Sequence, residues 1–194
     1  LESLLAPRTP IQQIRSYVLG QAHGGFDVAD SECAGDATED VNSASAWTRV
    51  FERATSLGEL TSSDSELLSA VSQELLTCPH GRQHAFGVGL GRASKGPLEH
   101  WAMMCEVFTR ANESERNTSL LKGFLRGLRA TQPAAASALL DRLVADPLLA
   151  DVFPEMQDGA WDTASGDRLL RSLEHGLAPA HRYSISIAHH DCEG

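Results

Sequence analysis

The chain has 194 residues, 42% of them hydrophobic and 22% charged, enough to bury a continuous core within one large or two small domains. Sixteen basic against twenty-six acidic side chains leave a formal net charge of −10. This charge disfavours unspecific attraction to nucleic acids or anionic membranes. No apolar run approaches the roughly 20 residues of a membrane span, and the opening LESLLAPRTP lacks the basic flank and apolar stretch of a secretion signal.

The charge is unevenly distributed. Residues 24–79 hold 2 basic and 11 acidic side chains, whereas residues 80–132 hold 8 basic and 4 acidic. Four separated cysteines without a C-x-x-C pair read as reduced thiols, and the expected location is the cytoplasm. A first residue that is not methionine reads as a piece of a longer protein.

In chain order, Ile11, Ile14 and Val18 predict a short amphipathic helix, with Thr9 as cap, Pro10 in the first turn and Gly20 as the stop. Residues 1–22 are assigned to this N-terminal element. Residues 23–45, rich in Gly, Asp and Ser, are expected to be a disordered acidic loop, because they carry too little apolar surface to offset the cost of ordering. They lack the spacing of a calcium loop.

Residues 46–182 are expected to form a helical-repeat domain. Trp47, Val50, Phe51, Ala54 and Leu57 make one stripe, and Leu67, Leu68, Val71, Leu75 and Leu76 another, with Gly58 placed in the turn between them. A second pair covers residues 83–93 and the helix bearing Leu98, Trp101, Met104, Cys105 and Phe108, joined at Gly96-Pro97. A third pair runs from about Glu115 to Ala130 and from Pro133 to Ala145. Asp146-Pro147 starts a short helix that Phe153-Pro154 breaks, and a last helix covers about Ser165 to Gly176. The tail, residues 183–194, holds the one strand-like piece, YSISI, and the group His189, His190, Asp191 and Cys192.

An internal match stands out. Gly87 aligns with Gly123, Gly91 with Gly127 and Pro97 with Pro133, all at an offset of 36 residues. Glycines four apart clear one helix face, letting a neighbouring helix approach closely. Each helical glycine costs about 1 kcal/mol against alanine, so packing must offset it. The fold expected is therefore all-α: an α-solenoid of stacked antiparallel hairpins with a period near 36, between the tetratricopeptide and HEAT lengths.

Cys78, His80 and His84 have spacings a metal could use, and a metal-dependent hydrolase is the alternative reading. Capping and partial exposure explain these residues without a metal. The glycines of GVGLG lie inside a helix with no strand before them, which argues against a phosphate loop. No nucleophile elbow is present. No cofactor is expected, and the chain is read as non-catalytic.

The basic segment supplies a candidate interaction surface, Arg82, His84, Arg92, Arg116, Lys122, Arg126 and Arg129, suited to a protein partner of complementary charge. A nucleic-acid-binding repeat is a further alternative, disfavoured because aromatic residues are not interleaved with the cations.

The phrases PRTPIQQIRSYVLG, GRQHAFGVGLGRAS, SERNTSLLKGFLRGL and DRLLRSLEHGLAPAHRY resemble the C-terminal helical-repeat region of large bacterial STAND-type NTPases and related multidomain proteins, some defence-associated. The resemblance implies a sensing or assembly segment downstream of nucleotide-binding and effector domains. It carries no catalytic residue onto this chain, and none of the nucleotide-binding motifs occurs here.

Overall fold

A computed structural model describes residues 9–20, 41–157 and 163–183, with side chains from residue 48 onward in the second stretch. Among these residues the chain is all-helical, and its helices pack around a shared core. Residues 23–40 of the expected acidic loop and residues 184–194 of the tail, with the His189-His190-Asp191-Cys192 group, lie outside the described residues. Residues 41–45, expected to belong to the loop, are instead the start of a helix.

α1 (Pro10–Gln13) opens with a reciprocal cap, in which Thr9 Oγ1 accepts from the Gln12 N–H and the Gln12 side chain accepts from the Thr9 N–H. It widens into one π-helical turn, Ile14–Val18, and ends at Gly20, whose φ of +65° favours glycine. Ile14 and Val18 are fully buried in the common core, and Arg15 grips the Glu74 carboxylate through Nε and Nη2 at 2.9 and 2.5 Å.

α2 (Val41–Thr61) and α3 (Ser65–Thr77) follow, with Asp64 capping α3 by accepting from the Leu67 N–H at 2.8 Å. Next come α4 (Gln83–Ala93), α5 (Pro97–Arg110), a 3-10 turn (Glu113–Glu115), α6 (Ser119–Thr131) and α7 (Pro133–Leu143). Pro97 and Pro133 sit in first turns, where a missing N–H costs nothing.

Beyond α7, the Asp146 carboxylate accepts from the Leu148 and Leu149 N–H groups, holding a run of turns and not the expected helix. Pro154 does not break a helix; it lies in the first turn of α8 (Phe153–Met156). α9 (Thr163–His175) ends at Gly176, φ +63°. With open space around it, Gly176 is a stop signal and does not join the glycine pairs as a packing position.

The architecture turns on α4, which lies between α2 and α6. A Cβ on Gly87 would stand 2.8 Å from the Phe124 amide nitrogen, and one on Gly91 2.8 Å from that of Leu128. The partners advance by four as the glycines advance by four, so α4 and α6 run in the same direction and in step. The reciprocal gaps are as tight: Gly123 faces the His84 carbonyl, and Gly127 faces the Val88 carbonyl and the Arg92 amide at 3.0 Å. The two Gly-x-x-x-Gly pairs, expected as a device repeated along a stack, therefore meet each other in a single interlocked interface.

A second contact of the same kind lies on the opposite side of α4. Gly89 abuts Thr55 and the Glu59 amide, while Gly58 abuts Phe86 and the Leu90 amide at 2.8 Å. Gly58 is thus within α2 and not in a turn. Around this triplet the core is filled by Phe86, Phe108, Phe124 and Phe153, with Trp101 tilted against Phe124 at 6.1 Å between ring centres.

Because the Gly127 gap is closed by backbone, Gly127→Ala should lower the free energy of unfolding by at least about 1–3 kcal/mol. Gly166 has open space around it in α9, so Gly166→Ala should be neutral or stabilising by up to about 1 kcal/mol. Urea titrations of the two variants check both, and equal effects would contradict the close-contact geometry.

Candidate interaction surface

The seven candidate residues divide by what their side chains touch. The Arg82 guanidinium donates to the Tyr17 carbonyl at 3.1 Å while its own N–H donates to the Val18 carbonyl at 2.7 Å, closing the C-terminal end of the first helical segment. Arg116 donates to the carbonyls of Thr109 and Ala111 at 2.8 and 3.1 Å and lies over the Phe108 ring at 5.5 Å. Both arginines satisfy the orphan carbonyls and negative dipole end of a helix, so they are fold-holding groups and not an open binding surface. His84 is half-buried at the start of α4, its carbonyl turned to Gly123.

The other four are carried by α4 and α6. Lys122, Arg126 and Arg129 occupy positions i, i+4 and i+7 of α6, a single face turned away from the buried Leu121, Phe124 and Leu128. Arg126 is exposed, Lys122 and Arg129 half-buried. Arg92, exposed in the last turn of α4, has its amide beside Gly127 and its carbonyl accepting from Thr131 Oγ1 at 3.3 Å. The glycine contact brings the Arg92 backbone beside the last two turns of α6.

Cys78, His80 and His84 do not form a ligand set. Cys78 Sγ donates to the His80 carbonyl at 2.9 Å, and the Cys78 carbonyl accepts from Gln83 Nε2 and Asn117 Nδ2 at 3.0 and 2.6 Å. This network binds the α3–α4 turn to the approach of α6. Among the described residues, no group of three or more His, Cys, Asp or Glu side chains is placed to hold a metal.

Three polar clusters escape sequence reasoning, because two are made by tertiary contact and the third closes across a turn. Ser94 Oγ and His100 Nδ1 lie 2.8 Å apart where α4 ends and α5 begins, both buried. Burial lowers the His100 pKa, with Glu99 opposing weakly, so the ring is held neutral beneath the surface and not presented to a substrate. Glu155 accepts from Thr118 Oγ1 at 2.8 Å and pairs with Arg182, which tethers the chain beyond α9 to the start of α6. Asp141 of α7 receives Arg168 and Arg171 of α9 at 3.1 and 2.7 Å. Its hydrogen bond with Arg168, above all, and that with Arg171 lower the Asp141 pKa.

Cysteine chemistry is suppressed at Cys105, where burial, aided by Asp146, pushes the thiol up to about 12 and keeps it protonated at neutral pH. No helix among the described residues is long and apolar enough to cross a membrane. No protein-family model, curated protein or solved structure matches the chain.

The shifts at His100 and Asp141 are both downward, so the unfolded chain binds more protons than the folded one as pH falls. The His100 contribution is complete above its unfolded value of about 6.5 and is lost as pH drops towards the folded value; that of Asp141 is lost as pH falls below its unfolded value of about 3.8. Chemical unfolding between pH 7 and 5 should show stability falling with acidity, and His100→Gln should flatten that slope. An unchanged slope would contradict the burial of a neutral ring.

Proposed function

We propose that this chain is a non-catalytic α-solenoid scaffold or sensor segment of a larger cytoplasmic multidomain protein, similar to the C-terminal repeats of bacterial STAND-type NTPases. It recognises an acidic surface of a protein partner through Arg92, Lys122, Arg126 and Arg129. One observation carries the reading: α4 and α6 lie side by side in step at the 36-residue offset, which sets cations from both helices on adjoining positions. Such stacking of equivalent helices is how a solenoid builds an extended binding face. The net negative charge of the whole chain makes this local positive field selective, since it repels acidic partners everywhere else.

The test is a charge reversal, Arg92→Glu with Lys122→Glu and Arg126→Glu, in the full-length protein. Proteins captured by the parent are identified by mass spectrometry, and their affinity for parent and variant is measured by calorimetry at two salt concentrations. Affinity should fall at least about tenfold with unchanged helical circular dichroism. Equal affinity would refute the assignment, and salt-sensitive RNA or DNA binding abolished by the reversal would replace it with a nucleic-acid reader.

A further inference from the structure

A charged cavity lies between the end of α5, the 3-10 turn, the approach to α8 and the segment beyond α9. Its volume is about 190 Å³. That is room for about six waters or one small solute. Phe108 and Val152 supply its apolar lining, Arg116 and Arg182 bring two guanidinium groups, and Asp151 and Glu155 bring two carboxylates.

These charges are incompletely matched. Glu155 is engaged on both oxygens, accepting from Thr118 Oγ1 and from Arg182 Nη1. Asp151 stands 3.7 Å from Arg182 Nη2, beyond hydrogen-bond length. Arg182 Nε is buried and donates to nothing among the described residues. At Arg15 and Arg168 the same Nε–Nη2 edge closes on a single carboxylate, that of Glu74 and of Asp141. The edge of Arg182 has no such partner. Arg116 leaves another donor open: Nε and Nη2 hold the carbonyls of Ala111 and Thr109, and Nη1 is unpartnered among the described residues. Buried N–H groups are nearly always paired, so an open one marks a place for an acceptor.

We infer that this cavity is a binding site for a free α-amino acid with a small apolar side chain. The ligand carboxylate lies between the two guanidinium groups, which favour a planar oxyanion. Its ammonium takes Asp151, with the exposed Glu113 at the rim, and so replaces the loose Asp151–Arg182 contact. A simple anion would meet three carboxylates here and a simple cation two guanidinium groups, whereas a zwitterion satisfies both signs within the small volume. The side chain rests on Phe108 and Val152. The site is distinct from the α4–α6 cations and does not depend on them.

The test is a nuclear magnetic resonance titration of the isotope-labelled full chain with L-valine, which should give saturable shifts of the Val152 and Thr118 amides. N-acetyl-L-valine, without the ammonium, and L-valinamide, without the carboxylate, should each bind at least about tenfold more weakly. Asp151→Asn should weaken L-valine and L-valinamide and leave N-acetyl-L-valine unchanged. Arg182→Lys should weaken L-valine and N-acetyl-L-valine and leave L-valinamide unchanged. No saturable shift up to about 10 mM, shifts confined to other parts of the chain, or a derivative binding as tightly as L-valine would overturn the assignment without recourse to any variant. So would a variant that weakens all three compounds alike. The Arg92, Lys122 and Arg126 reversal should leave L-valine binding intact, which separates failure here from failure of the α4–α6 reading.

Discussion

Everything described depends on the distance between the backbones of α4 and α6. Four glycines remove the side chains that would hold the two helices apart, and the carbonyls and amides of each fill the space left on the other. A helical glycine is unfavourable by itself, so the arrangement holds only because the close contact recovers dispersion over both surfaces. With Gly58 and Gly89 making a second such contact, eight of the eleven residues of α4 are buried, its three glycines among them. The register locked in this way sets the Arg92 backbone beside Gly127 and Thr131 of α6.

Much of this is legible in the chain. The apolar stripes of α3 and α6 locate their buried faces, because a 3.6-residue period admits one inward side. Thr9, Pro10, Asp64, Pro97, Pro133 and Gly176 mark ends by their own backbone chemistry. The 36-residue match draws attention to the right four glycines, since a packed interface constrains both sides alike. Gly58 is misleading because the stripe ending at Leu57 looks complete, yet no strong breaker occurs before Ser62-Ser63-Asp64, and α2 runs on to Thr61. Gly89 is recoverable in principle: two residues from Gly87 and from Gly91, it faces the other side of the helix.

The candidate surface is legible only as a composition. Seven residues of a basic segment are grouped by their nearness in sequence, and nothing local distinguishes Arg116, spent on the carbonyls of Thr109 and Ala111, from Arg126, which faces solvent. Arg82 likewise finds its acceptor 65 residues away at Tyr17. The Asp141 joint and the Ser94–His100 pair arise from tertiary contacts between helices or across a turn. Leu169 of α9 is buried while Leu170 and Leu173 are exposed, a choice that a helix with leucines on two sides does not announce.

The central claim, that α4 and α6 touch in parallel register through paired glycines, is tested most directly by nuclear Overhauser contacts between glycine α-protons in the isotope-labelled chain. Cross-peaks from Gly87 to Gly123 and from Gly91 to Gly127 are expected, since only bare backbones in step bring those protons together. A cross-peak from Gly87 to Gly127 would mean antiparallel helices, and no interhelical glycine contact would mean that the backbones never meet; either result would contradict the account.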